Sequence, residues 1–365
     1  MEKSSFAAAN MTIMSEPTTP TSQAHDSGAS ANVIATVETE MRQTARFPTR
    51  WTAISSALVV LLCVLALILV PIPFVARSPG QTVNLLSTNE RGKPMIQVDG
   101  LTTRHGEGEM RMTTVSITRA DSRLSMAEAL VAHLRADHDV LQREAIYPPG
   151  RSPQQVDADE SYMMDTSERD AAVAALRAAG QPVTEMPMVS AVSAAGPAHG
   201  KLAPGDLIEK VDGKPVASVL DVGKAVRKHT VGDTVVFVVL RNSSVKTIAV
   251  TTVSSVSDRR APAVGATIDT GYRYTPTITY NIPGDIVGPS AGLAMALSIY
   301  QMVAPNDLIG SLRIAGTGGI SPDGNVVAIG GIQEKIAGAE RDGAKIFLVQ
   351  AGNCRDISGV ETSMR

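Results

Sequence analysis

A chain of 365 residues has room for two or three domains with linkers. Hydrophobic residues make up 44 % and aromatics only 3 %, so its cores are built from Ala, Val, Ile and Leu. A net charge of −3 with no Lys/Arg-rich run gives no basis for a nucleic-acid partner. Cys63, inside an apolar run, and Cys354, near the C-terminus, make neither a disulfide pair nor a metal-ligand spacing.

Residues 1–50 are rich in Ser, Thr, Ala and Pro, as in Glu16-Pro17-Thr18-Thr19-Pro20-Thr21, and are expected to be a disordered cytoplasmic segment. Residues 51–76 carry no charge and are bounded by Arg50 and Arg77. A spanning helix needs about 20 apolar residues, and no face of this run is polar, so a transmembrane helix is predicted rather than a buried core helix. Arg42, Arg46 and Arg50 precede the span, whereas Arg77 stands alone after it until Arg91. The positive-inside bias therefore places the N-terminus in the cytoplasm and all later domains outside. A cleaved leader is the rival reading; its length and the weak Phe74-Val75-Ala76 cleavage site favour an uncleaved anchor in the cell membrane.

Residues 77–165 read as a small mixed region with a strand over Met110–Ile117. Ser125 and Glu128 form a capping box opening a helix through about Arg135. Tyr147-Pro148-Pro149-Gly150 breaks regular structure. A second helix is predicted from about Ser167 to Ala179, stopped by Gly180 and Pro182.

From Met188 the pattern changes. A short strand, Val189–Val192, is followed by Gly196-Pro197-Ala198 and by Leu202-Ala203-Pro204-Gly205-Asp206-Leu207-Ile208. Asp212-Gly213-Lys214-Pro215-Val216, a helix over about Val219–Lys228 and strands Thr234–Leu240 and Thr247–Val253 complete the succession. It resembles a PDZ domain, a partly open β-barrel with helices, assigned to residues 166–256 with the preceding helix. In that family a peptide adds a strand to a sheet edge beside the helix. By resemblance, Met188, Val189 and Val192 with Val219, Val222 and Val226 would line the groove; the plainer reading makes these side chains core. A linker over Val253–Ala263 leads to the last domain, residues 264–365.

Gly288-Pro289-Ser290-Ala291-Gly292 places a serine at the start of a mostly apolar run through Ala304. A helix starting there directs free backbone N–H groups and a positive dipole end toward the serine, an environment suited to an oxyanion. Gly288 and Gly292 allow close backbone approach. The plain alternative is that Ser290 only caps the helix. A serine needs a group to take its proton, and Lys335, on a short helix from Ile332 to about Arg341, is the candidate. To serve, its pKa must fall from about 10.4 to about 7–8, a shift worth roughly 4 kcal/mol that burial or a nearby cation would supply. Its alternative fate is to snorkel into water. The six histidines, at 25, 105, 133, 138, 199 and 229, lie outside this domain, and His133 and His138 lack helical metal-pair spacing, so no metal or cofactor is expected.

These segments, with Ala315-Gly316-Thr317-Gly318-Gly319-Ile320 and Gly324-Asn325-Val326-Val327-Ala328-Ile329-Gly330-Gly331-Ile332-Gln333-Glu334-Lys335, resemble the proteolytic domain of Lon proteases over roughly residues 264–353. The resemblance implies an α/β proteolytic domain with Ser290 as nucleophile, Lys335 as general base and Thr317 holding the lysine. The succession of one apolar span, a PDZ domain and this domain is similar to membrane-anchored bacterial Lon-like proteases. Three departures stand out. No Gly-x-x-x-x-Gly-Lys-Ser/Thr segment is present, so ATP-driven unfolding is not expected. Val287 replaces an acidic residue, with Asp285 two positions earlier. Only 30 residues follow Lys335, which implies a shortened, less stable domain.

The sequence thus reads as an α+β multidomain chain: one transmembrane helix, a PDZ domain and a Lon-type proteolytic domain. The expected activity is ATP-independent serine endopeptidase action on exported or membrane polypeptides, with a homo-oligomer allowed by the resemblance. The alternative is an inactive PDZ-type peptide-binding scaffold or holdase at the membrane.

Overall fold

Pro71 and Pro73 end the apolar run early. In a computed structural model, which describes residues 49–365, it forms α1, Thr49–Leu69. The helix stops at Leu69 rather than the expected Ala76, because a proline lacks the N–H that would continue it and constrains the residue before it. Pro71–Ile72 and the residues from Phe74 onward are already strands. Among the described residues α1 is the one helix long and apolar enough to cross a membrane, with a mean hydropathy of 2.8 over Arg50–Leu69. The disorder expected of residues 1–48 lies outside the described residues.

Chain order then runs β1 (Phe74–Asn84), β2 (Glu109–Ile117), α2 (Met126–His133), β3 (Asp139–Gln142) and the long α3 (Pro153–Ala178). β4 (Thr184–Val192), β5 (Leu207–Val211), α4 (Val219–Val226), β6 (Thr234–Arg241), β7 (Ser244–Thr251) and β8 (Ala266–Arg273) follow. The last stretch carries α5 (Gly292–Val303), β9 (Arg313–Gly316), α6 (Ile332–Arg341) and β10 (Ile346–Leu348). Reciprocal capping boxes start three helices: Ser125 with Glu128 for α2, Ser152 with Gln155 for α3 and Ser218 with Asp221 for α4. The helix expected from Ser167 therefore begins at Pro153, where a first-turn proline costs no hydrogen bond. Asn242 and Ser243, both at positive φ, make the two-residue turn between β6 and β7.

Five strands pair in the order β10-β9-β2-β1-β3. β9 lies parallel to both β10 and β2, with Ile314 opposite Ile346 and Met110, and β1 runs antiparallel to β2 and β3. Strands from the expected 77–165 region and the expected 264–365 domain thus share one sheet, which corrects their separation. The intervening segment folds as an insertion. Long-range pairing leaves no local sequence signature, which is why separate regions were expected.

Alternation along β9 distributes the layers. Ile314 joins one core with Met110, Met112, Ala171 and Ala175 of α3 and Met295 and Ile299 of α5. Ala315 faces the other way, onto Ile332, Ile336 and Ala339 of α6, Ala344 and Met364. The segment through Arg365 is tied in: Phe347 N–H donates to Arg365 O at 2.8 Å, and Arg365 N–H to Lys345 O at 3.0 Å. The insertion has its own antiparallel sheet, β7-β6-β5-β4-β8, with Lys214–Pro215 beside β5. Its core packs Val189, Ile208, Val222, Val235 and Phe237.

Candidate functional site

Ser290 sits in a tight turn ahead of α5. Gly288 takes φ +100°, a conformation that strains any residue with a Cβ, and Pro289–Ala291 form a 3-10 turn before α5 begins at Gly292. A Cβ at Gly292 would meet Ser167 Oγ at 2.9 Å and Ile320 N at 3.0 Å, so the serine-bearing turn packs close to α3 and to the strand after β9. Neither the turn nor α5 has a side-chain cap. The capping role considered for Ser290 is therefore not the one it plays.

The loop leaving β9 is tied to this turn. Ser290 O accepts from Gly318 N–H at 2.9 Å and from Thr317 Oγ1 at 3.2 Å, while Leu293 N–H donates to Gly318 O at 2.9 Å. Thr317 is fully buried, two residues beyond Ala315 on the strand path toward α6. Its hydroxyl accepts from Lys335 Nζ at 3.1 Å. Thr317 thus links the lysine to the serine's own peptide unit. No hydrogen bond joins Lys335 Nζ directly to Ser290 Oγ among the described residues.

Lys335 is 2 % exposed, so it does not snorkel. Burial first, and then the nearby Arg77 guanidinium, pull its pKa down from 10.5 to about 8 against the opposing pull of Glu334. α6 is fastened from the N-terminal side of the chain. Arg77 of β1 donates to Glu334 Oε1 at 2.6 Å and to Asp139 Oδ2 at 2.5 Å, and Thr82 Oγ1 donates to Asp342 Oδ2 at 2.7 Å. Arg341 donates to Gly80 O at 2.7 Å. Glu334 is 1 % exposed, and its Oε2 has no hydrogen-bond partner among the described residues. Gly331, at φ +75°, brings α6 so close that a Cβ would lie 2.9 Å from Val115 Cγ1 of β2. Sequence reasoning missed Arg77, which it read only as a flank of the apolar run.

Beside the turn lies a cleft of about 590 Å³ lined by Val115, Ile117, Tyr147, Val156, Glu160 and Val287. β9 leaves β2 after Met112, and β1 covers only the opposite edge. Thr118 N–H donates to Ala76 O, so alternation turns the peptide groups of Val115 and Ile117 toward the uncovered edge. Asp285, the acidic residue before the turn, is exposed.

The inserted sheet corrects the strand half of the second set of candidates, Met188, Val189 and Val192, and keeps Val219, Val222 and Val226 on a cleft. β8 pairs antiparallel along the whole of β4, from Ala266 opposite Val192 to Arg273 opposite Thr184. The edge of β4 on which Met188, Val189 and Val192 were expected to receive a peptide is therefore occupied by the chain itself. Val189 is core. β8 lies beyond residue 256, where the expected domain ended, so its pairing with β4 was not foreseen. The edge strand is β8, and a cleft of about 680 Å³ runs between it and α4, lined by Val219, Val222, Val226, Val264, Gly265 and Ile268. Val264 O and Gly265 O accept from Ala198 and Ser193 N–H groups, while their own N–H groups have no partner among the described residues.

Comparison with known proteins finds two family models in succession. Residues 167–252 match the PDZ domain family model, and residues 275–365 match that of the Lon protease (S16) C-terminal proteolytic domain. A mitochondrial Lon protease homolog of Phaeodactylum tricornutum is 44 % identical over 73 residues, 20 % of this chain and 8 % of the relative. A Lon protease of Neorickettsia sennetsu is 37 % identical over 78 residues, 21 % of this chain and 9 % of the relative. The chain thus spans about a tenth of the length of these curated relatives. The PDZ domain of an SdrC-like protein from Listeria monocytogenes is 24 % identical and covers 23 % of this chain and 86 % of that one, with a TM-score of 0.21. The chain therefore carries a PDZ domain followed by a Lon-type proteolytic domain, in a mixed helix and sheet architecture.

Proposed function

We propose that this chain is an ATP-independent serine endopeptidase, anchored to a membrane by α1, in which Ser290 and Lys335 form the catalytic dyad. The observation that carries the reading is Lys335, 2 % exposed, with Nζ on a threonine hydroxyl that also holds Ser290's carbonyl. With a pKa of about 8, roughly a tenth of the lysine is neutral at pH 7, enough for a general base. Neutral Lys335 takes the proton of Ser290 Oγ as it attacks a peptide carbonyl. Backbone N–H groups at the turn entering α5 receive the oxyanion. The lysine then protonates the leaving amine, and water, deprotonated in turn by Lys335, clears the acyl-enzyme.

The open edge of β2 at Val115 and Ile117 supports binding of an extended substrate by strand addition beside Ser290. The groove between β8 and α4, with the free N–H groups of Val264 and Gly265 at one end, supports capture of a peptide carboxylate. The missing P-loop motif is the ground for ATP independence. Arg42, Arg46 and Arg50, at the start of the apolar run, support a reading with the PDZ and protease domains outside the cytoplasm. A homo-oligomer is compatible with this reading.

A fluorophosphonate probe, followed by peptide mapping, tests the assignment. Ser290 is the residue expected to be modified, with labelling lost in Ser290→Ala. Labelling at another serine, or none in a correctly folded chain, would sink it in favour of a peptide-binding scaffold.

A further inference from the structure

α2 carries its larger apolar side chains on the side away from the fold. Its side toward the fold is Ala129 and Ala132, both buried. Met126, Leu130, Val131 and Leu134 are exposed, Leu134 by 76 %. At 100° per residue they occupy one continuous arc, opposite the two alanines. A contiguous apolar face on the surface of a domain marks a contact.

Chain geometry points to its occupant. Only Val70 separates the end of α1 from Pro71–Ile72, which pairs with Leu124–Ser125: Pro71 lies opposite Ser125 and Ile72 opposite Leu124. Ser125 is the N-cap of α2. The Leu69-to-Pro71 step spans at most about 7 Å of extended chain. The exposed face of α2 therefore starts within a few residues' reach of the end of the apolar helix, and exposed Val70 and half-buried Ile72 continue the apolar surface between them.

We infer that α2 is a second membrane contact, lying in the interface of the bilayer with Met126, Leu130, Val131 and Leu134 in its acyl boundary. The inference rests on the anchoring part of the proposed function. It adds a second point of attachment, which restrains the domain against the bilayer rather than leaving it to swivel on Val70.

Trp51, the chain's single tryptophan, separates the two claims. The full chain is reconstituted into phosphatidylcholine–phosphatidylglycerol vesicles with brominated acyl chains, which quench indoles that reach them. Three chains are compared: wild type, Leu130→Trp in a Trp51→Phe background, and Val256→Trp in that background as a fully exposed control. The inference expects a blue shift and an intensity loss for Leu130→Trp comparable with Trp51, and none for Val256→Trp. Quenching at position 130 with Trp51 unquenched would uphold α2 as a lipid contact while removing α1 as an anchor. Quenching of Trp51 with no loss at position 130 overturns the inference and leaves the anchor standing. Shielding of position 130 from aqueous iodide that rises with protein concentration, without lipid quenching, overturns it in favour of a second copy of the chain. Loss at neither position overturns both.

Discussion

Arg77 Nε meets Glu334 Oε1 at 2.6 Å, binding the first strand after the apolar run to the helix residue beside Lys335. The pair is nearly dry on the glutamate side and anchored on the arginine side by Asp139 at 2.5 Å. Its two charges act on Lys335 with opposite signs, the arginine lowering and the glutamate raising its pKa. The N-terminal segment therefore supplies both a strand of the sheet that carries β9 and a charge beside Lys335.

Arg77→Met removes the cation that lowers the lysine's pKa and leaves Glu334, which raises it, so the pKa should rise. The acidic limb of the pH–rate profile is expected to move above its position near pH 8, with lower activity at pH 7. Leaving a buried carboxylate unpaired costs about 3–5 kcal/mol, seen as a lower midpoint in urea. An unchanged limb would show that Arg77 does not act on the lysine.

Thr317→Val keeps the shape of the side chain but removes the hydroxyl joining Lys335 Nζ to Ser290 O. Turnover should fall about a hundredfold, the scale of a misplaced catalytic group, whereas Thr317→Ser retains most of it. Equal activity in the two variants would argue against a positioning role.

Lys335→Met tests the burial directly. The folded pKa, about 8, lies below the unfolded value of 10.5, so the folded chain holds fewer protons between them. The cost is fully present below about pH 8 and fades as pH rises through 10.5. At pH 7 it amounts to at most about 3 kcal/mol. The inactive variant should unfold later than wild type at pH 7, offset in part by the lost bond to Thr317, and the difference should shrink above pH 10. A gain that grows with pH contradicts this.

The closing strand of the inserted domain carries a fourth expectation. A fragment ending at residue 252 lacks β8 and exposes the whole of β4 as an unpaired edge, so it should aggregate, whereas one extended through Arg273 should remain monomeric. In the longer fragment, a peptide with an apolar C-terminus should shift the amide resonances of Gly265–Ile268 and not those of Met188 and Val189. Shifts confined to β4 would return the groove to that strand.

Local signals made much of this molecule legible in its sequence. The capping box at Ser125, the apolar run behind Arg50 and the glycine-flanked Ser290 each carry their meaning within a few residues. Lys335 was legible as a candidate on its own short helix, Thr317 came from a family resemblance, and the structure brings them into hydrogen-bond contact. What stayed hidden was long-range. β2 meets β9 across the whole inserted domain, β8 closes a sheet whose other strands end before residue 252, and Arg77 reaches α6 from the edge of the apolar run. Such pairings are chosen by the register of distant strands, which leaves no periodicity at either partner.

Activation of Ser290 by buried Lys335 is tested by the pH dependence of casein hydrolysis by the full chain, with Ser290→Ala and Lys335→Ala beside it. Activity should rise with an apparent pKa of about 8 and be lost in both variants while their far-ultraviolet circular dichroism is unchanged. Cleavage that persists in either folded variant would contradict it.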